Sequence, residues 1–357
     1  MTLILSNDDV NDLLTMPDCI DALEIAYREL ALGNGANRRR SDSVVQGSMQ
    51  DTFYSLKSMD GIVPKFGVSA VRINSDIVSW PVRDGTIRRE KVPAAPEKRW
   101  VGLVLLFSTE TGEPLAIFPD GYLQRLRVGA ANGLAAKYLA RKDAKNVALL
   151  GSGWQASGQV MAITAVRDIE QIRCYSPNAE NRIRFSDQMS STLGIDVIPV
   201  DSSEQAIDGA EIILCATNSI DNILDDSLLE PGVHISSIKP SEISVPAIKK
   251  SDLVILHTHD DKPMHIVPPG LEVPDQKQGM GWHMMDNIDF DDLSTLPELI
   301  AGQVNGRNND KEISCFLNNL GMGYQFAAAG GAFYKKAKLA GRGHELPTEW
   351  FTQDVHP

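Results

Sequence analysis

The fold turns on the stretch Asn146-Val-Ala-Leu-Leu-Gly-Ser-Gly-Trp-Gln-Ala156. An apolar run, Val147 to Leu150, leads into Gly151-x-Gly153-x-x-Ala156, and a helix-length segment follows from Ser157 to Arg167. A dinucleotide site requires that order. Gly151 permits the tight strand-to-helix turn, and Gly153 lets backbone approach a pyrophosphate. The small Ala156 lets helix and strand pack closely. The first N–H groups of such a helix point at phosphate, with Trp154 and Gln155 completing the loop. A glycine-rich turn alone also suits a plain structural corner. The flanking strand and helix patterns favour the nucleotide site.

Downstream, short apolar strands alternate with helical segments: Ile172–Tyr175, Val197–Val200, Ile212–Ala216, His234–Ile238 and Leu253–His257. That alternation predicts an α/β fold, a doubly wound parallel sheet of Rossmann type with helices on both faces. Residues 263–292 read as irregular, and Glu312–Leu339 as one or two closely packed helices. Upstream, Met16–Leu32 has helical spacing. Strand-like runs follow at Asp42–Gly47, Thr52–Met59, Phe66–Ile73, Val101–Ser108 and Pro114–Phe118, the last two joined by a turn at Thr109-Glu-Thr-Gly-Glu. Residues 1–120 are therefore expected to form a smaller α+β domain, and residues 121–316 the nucleotide domain.

The formal net charge of −13 argues against nucleic acid, which needs a basic surface. The four cysteines (Cys19, Cys174, Cys215, Cys315) are scattered, with no CxxC pair and no metal spacing, as expected of buried thiols in a reducing cytoplasm. No metal is expected. Met1-Thr-Leu-Ile-Leu-Ser lacks the basic start of a signal peptide, and no apolar run approaches the ~20 residues of a membrane span. The expectation is a soluble, cytoplasmic protein.

Nucleotide preference is read at the end of the second strand, Cys174-Tyr175-Ser176-Pro177-Asn178, where NAD-specific sites carry a carboxylate for the ribose. None is present. Ser176 and Asn178 could donate to a 2′-phosphate, and Arg182 follows one helical turn on. The reading leans to NADP(H) over NAD(H). The plain alternative makes Arg182 a solvated helix residue.

The helix before the glycine turn reads Leu123-Gln-Arg-Leu-Arg127-Val-Gly-Ala-Ala-Asn-Gly-Leu-Ala-Ala-Lys-Tyr-Leu-Ala-Arg. With the glycine motif and Gly321-Met-Gly-Tyr-Gln-Phe-Ala-Ala-Ala, it resembles the ornithine cyclodeaminase/mu-crystallin family over nearly the whole chain. The resemblance implies a homodimer, an N-terminal domain completed by C-terminal helices (here 317–357), and a site between the two domains. It also implies hydride transfer at the α-carbon of amino or imino acids. The nicotinamide would lie near Ala216-Thr217-Asn218. The family's carboxylate clamp uses an early arginine, here Arg40 within Arg38-Arg-Arg40, and the arginine of the pre-Rossmann helix, Arg127. Its lysine, usually in Ala-Gly-Val-Lys, is matched by Arg72 in Ser69-Ala-Val-Arg72. A guanidinium can grip a carboxylate bidentately, but it cannot shuttle protons as a lysine can.

In the cyclodeaminases a catalytic aspartate follows the strand matched by Leu253-Val-Ile-Leu; here His257 stands there, ahead of Thr258, His259 and Asp260. A later family aspartate is replaced by Phe326. Histidine suits acid–base exchange near neutrality, so His257 is the expected proton-transfer group, with Asp260 able to take the role along the loop. The plain alternative has His257 merely end a strand. The leading expectation is an NAD(P)-dependent imino/amino acid oxidoreductase. Ornithine cyclodeamination, and a nucleotide-loaded binding protein of mu-crystallin type, stay open beside it.

Overall fold

The glycine turn closes the first strand of an eight-stranded sheet in which every pairing is parallel. The computed structural model describes the chain except residues 84–85, 88–89, 220, 240–241, 260–262, 274–287, 289 and 356–357. The strands lie in the spatial order Asp196–Pro199, Gln171–Tyr175, Asn146–Leu150, Ile212–Cys215, His234–Ser237, Ser314–Leu317, Leu253–Leu256, Ser294–Thr295. Strand order reverses beside Asn146–Leu150. Ligands of doubly wound folds bind in the crevice at the carboxyl ends there.

Ser314–Leu317 corrects the expectation of helix from Glu312 onward. These four residues form a fully buried strand between His234–Ser237 and Leu253–Leu256. A short apolar run such as Ser-Cys-Phe-Leu carries no periodicity that separates a buried strand from a buried helix.

The second sheet runs in the order Met264–Ile266, Ser41–Gln46, Thr52–Val63, Val68–Ser79, Val101–Ser108, Pro114–Pro119, Thr2–Ile4, His344–Leu346. Its centre is the antiparallel pair Thr52–Val63 and Val68–Ser79, in unbroken register from Thr52↔Ser79 to Val63↔Val68. On the second strand Val68, Ala70, Arg72, Asn74, Asp76 and Val78 alternate inward and are buried. That inner face is apolar at the Val68 end and polar from Arg72 to Asp76.

Five long helices bind the sheets together: α1 (Met16–Ala31), α2 (Gly121–Leu139), α3 (Trp154–Val166), α4 (Ala179–Leu193) and α5 (Gly323–Leu339). Helix α2 is buried on nearly every side, as a helix between two layers must be. It touches α3 through small residues: a Cβ on Gly129 would overlap the Gly158 carbonyl. Helix α5 covers the apolar end of the long strand pair, with Phe333 edge-on to Phe118 at 5.1 Å. Among the described residues no helix is long and apolar enough to cross a membrane.

The start of α5 lies directly on the strand beneath it. A Cβ on Gly61 would collide with the Tyr324 backbone, whereas one on Gly153 would meet nothing within 4 Å. Gly61→Ala should therefore cost about 1–3 kcal/mol by overpacking and lower the melting temperature by roughly 2–12 °C. Gly153→Ala should leave it within about 1 °C, because the added methyl stands in open space. Thermal unfolding of the two variants side by side checks the contrast.

Candidate active site

Gly151 adopts φ +118°, which only glycine takes without strain, and a Cβ there would overlap the Ala216 carbonyl. Its N–H donates to the Tyr175 carbonyl at 2.8 Å, joining two strand ends at the crevice. Ala156 is fully buried against the sheet. Gly153 caps α3 without any side-chain hydrogen bond and leaves space beside its Cα. This is a cradle for an anion: uncapped N–H groups, the positive end of a helix, and room at the backbone.

Ser176, Asn178 and Arg182 are engaged elsewhere. The Asn178 side-chain oxygen Oδ1 accepts from Asn181 N–H at 2.8 Å and caps α4. Arg182 donates to the Ser176 carbonyl at 3.2 Å and pairs with Asp201. Ser176 Oγ lies 2.8 Å from Ser152 Oγ. The lean toward a 2′-phosphate is weakened, because the one cation among its donors, Arg182, is tied to the protein's own framework.

At the next strand end, Thr217 donates to Glu242 Oε1 from both its N–H (2.6 Å) and its hydroxyl (2.9 Å). Ile238 N–H donates to Glu242 Oε2 at 2.9 Å. Burial holds the Glu242 carboxyl above its usual range, against the pull of these donors. This brace fixes Ala216-Thr217-Asn218 against the neighbouring strand end. Glu242 was not legible beforehand; its only signal is a lone acid after an apolar strand.

The arginines converge from three elements. Arg72 donates to Asp120 Oδ2 through Nε at 2.6 Å and to Gln124 at 2.8 Å. Arg40 donates to both oxygens of Asp42, at 2.7 and 2.5 Å. Arg127 donates to Gln325 Oε1 at 2.9 Å. Its Nε is buried without a hydrogen-bond partner, and no carboxylate among the described residues pairs with it. Burial first, and then the positive charge of Arg72, brings the Arg127 pKa down to about 10. Phe326 lies beneath both guanidiniums, 5.0 Å from Arg127 and 5.4 Å from Arg72. Cations over an aromatic face are stabilised there.

Strand register adds a residue that sequence reasoning passed over. Lys57 is buried on the same inner face, opposite Asp42 on one side and Asn74 on the other. It stands two positions from Met59, which faces Arg72. The lysine sought at position 72 thus has a counterpart one strand away.

The sequence profile of the ornithine cyclodeaminase/mu-crystallin family matches residues 88–339. The chain belongs to that family. Among its relatives, the Δ1-pyrroline-2-carboxylate reductase of Bacillus thuringiensis subsp. konkukian is 27% identical over 350 residues, covering 96% of this chain and 99% of that one. The Thermococcus litoralis Δ1-pyrroline-2-carboxylate reductase, solved with NADH and L-proline, superposes with a TM-score of 0.76 at 26% identity, over 96% of this chain and all of the other. An archaeal alanine dehydrogenase dimer with bound NAD gives 0.75 at 25% identity, over 97% and 99%.

At the position where the cyclodeaminases of this family carry an aspartate, the structure gives His257 a setting unsuited to proton exchange. The ring is fully buried, with Nδ1–H donating to the Leu320 carbonyl at 2.6 Å and Nε2 accepting from the Tyr27 hydroxyl at 2.7 Å. A carbonyl can only accept, so the neutral tautomer is fixed. Burial depresses the pKa of His257 to about 3. This setting counts against a neutral-pH acid–base group at 257: the ring ties the Leu317–Leu320 corner to α1. Asp260 lies outside the described residues. His259, by contrast, is exposed and meets the Leu293 carbonyl at 2.7 Å.

His234 is buried as fully, next to Ser314, and is also held down to about 3 by burial. Unfolded, either ring takes a proton near pH 6.5; folded, each stays neutral until about pH 3. The unfolded chain thus binds the extra protons in between. This stability is complete above pH 6.5 and is lost as pH falls toward 3. The unfolding free energy should decline from pH 7 to pH 5 by up to about 1.4 kcal/mol per pH unit from each ring, and the melting temperature should fall with it. His257→Asn should melt lower throughout but decline less steeply. An equal slope in parent and variant would mean that the folded ring titrates after all.

Proposed function

We propose that the chain is a nicotinamide-dependent oxidoreductase acting at the C–N bond of amino and imino acids, in the direction of imine reduction. The observation that carries this reading is Arg127, a buried cation with an unpartnered Nε and no carboxylate of its own among the described residues. An unpaired buried charge is costly, and a substrate carboxylate offsets that cost by accepting the unused donors. Relatives named for reducing an imino acid, and a neighbour solved with NADH and L-proline, support the same class.

The turn Gly151–Ala156 is the piece that would hold the dinucleotide, with Thr217 and its Glu242 brace at the nicotinamide end. When bound, that group supplies the hydride. NAD(H) is the proposed form, since Arg182, the cation expected to meet a 2′-phosphate, is held by Asp201 and the neighbours hold NADH or NAD. The chain's own residues do the rest. Arg127 grips the carboxylate, with Phe326 as a flat apolar floor beneath it. Asp120 and Asp42 hold Arg72 and Arg40 in place, with their remaining guanidinium donors fixed around the site. Fixed charge of this kind stabilises an anionic substrate without reorganisation. Lys57, buried on this face, is assigned the proton that an imine nitrogen takes up, with Asp260 as the alternative donor.

A homodimer is part of the proposal. The outer face of the N-terminal sheet leaves Val45, Leu56, Ile62, Val101 and Leu103 exposed on one side of the sheet. A second copy of the face would cover it. Sedimentation showing only monomer at micromolar concentration would count against this.

Loss of NADH absorbance with Δ1-pyrroline-2-carboxylate, and with α-keto acids plus ammonia, tests the activity. Arg127→Met should raise KM well over tenfold, since removing one partner of a buried charge pair costs about 2–5 kcal/mol, while NADH affinity stays put. Lys57→Met should lower kcat by something like 10²-fold, and Asp260→Asn much less. The reverse ranking moves the proton to the 257–261 loop. Tight nucleotide binding with no turnover on any substrate would make the chain a binding protein instead.

A further inference from the structure

Two residues before Arg127, helix α2 carries a second cation on its opposite side. The Arg125 guanidinium lies 4.2 Å from the Trp154 ring centre and 5.0 Å from that of Tyr122. Those rings meet edge-to-face at 5.2 Å. Its Nε is buried with no hydrogen-bond partner, and Nη1 reaches only Ser157 Oγ, at 3.5 Å. No carboxylate among the described residues pairs with it, although the chain is strongly acidic. Arg125 lines a cavity of about 450 Å³ together with Tyr122, Ser152, Gly153, Trp154 and Arg184. The glycine turn thus opens onto a cation that has been oriented by stacking and given no counter-ion.

We propose that Arg125 is the group that grips the pyrophosphate of the dinucleotide, reaching across from the substrate-binding helix to the start of α3. The proposal rests on the cofactor reading of the glycine turn. The turn itself offers only backbone N–H groups and a helix end, which neutralise part of a doubly charged pyrophosphate. A guanidinium adds two parallel donors matched to phosphate oxygens. The aromatic sandwich holds the fork before the ligand arrives, so little rotamer freedom is lost on binding. It also gives Trp154, an indole 51% exposed at the first helical position, a reason to stand there. Through α2, the phosphate grip and the carboxylate grip of Arg127 then sit on one rigid rod, so cofactor position and substrate position are set together.

The test uses the whole protein without substrate. NADH is titrated by energy transfer from tryptophan to the reduced nicotinamide, at several NaCl concentrations. Arg125→Met keeps the stem but not the charge. It should weaken NADH by roughly tenfold to a hundredfold, the worth of a hydrogen bond to a charged group, and flatten the salt dependence. Arg125→Lys, which keeps the charge, should recover a good part of the loss, and the unliganded melting temperature should change little in either variant. NADH binding within twofold of the parent in Arg125→Met, at a concentration where Gly153→Asp has lost it, would overturn the proposal and leave the phosphate to the turn alone. Equal loss in both Arg125 variants with a collapsed melting temperature would overturn it in favour of packing. A parent that takes up neither NADH nor NADPH would instead remove the cofactor reading on which the proposal stands.

Discussion

Everything in this molecule depends on the close crossing of α2 and α3. Gly129 and Gly158 bring the two backbones so near that neither position has room for a side chain. One helix belongs to the chain segment that builds the N-terminal sheet, and the other rises from the glycine turn of the parallel sheet. Their contact fixes the distance between the arginine cluster and the nucleotide cradle. Proximity catalysis needs that fixed distance, because reacting groups must be held within a fraction of an ångström. Residues that looked like helix filler, the run of glycines and alanines after Arg127, are what make it possible.

A second constraint is charge in a dry place. The inner face of the long strand pair buries Arg72, Asp76 and Lys57, and α2 adds Arg127 and Asp120. Most of these are paired: Arg72 with Asp120, Arg40 with Asp42, Asp76 with Lys91 at 2.9 Å. Ion pairs of this sort add little net stability. Their value lies in holding cations still. Arg127 is braced instead by a neutral glutamine.

What the sequence disclosed, and what it withheld, follows from how local each signal is. Gly151, Gly153 and Ala156 could be read because strand, turn and helix are contiguous and each glycine answers a local steric demand. Arg127 could be read because a charge within a run of buried-helix residues stands out. The setting of His257 could not be read because the chain says nothing about which carbonyl or hydroxyl waits on another element; Tyr27 lies 230 residues away. Lys57 and Glu242 went unremarked for the same reason, since their meaning comes from cross-strand register and from loops meeting at strand ends. Arg182 looked like a phosphate ligand until Asp201 took it.

The order in which the second sheet is assembled has a consequence for how the protein is made. Thr2–Ile4 pairs with His344–Leu346, and α5 lies across Gly61 and Val68. The N-terminal layer therefore emerges from the ribosome long before the helix and strand that cover it. Until then its apolar strands stand without their cover, while the parallel sheet also waits, for Ser314–Leu317 to slot into its middle. Completion of the N-terminal sheet is tied to synthesis of α5 and His344–Leu346, and the interval before that is when strand edges are open to misplaced pairing. Chaperone dependence during synthesis would be the physiological trace of a topology that closes only at its far end.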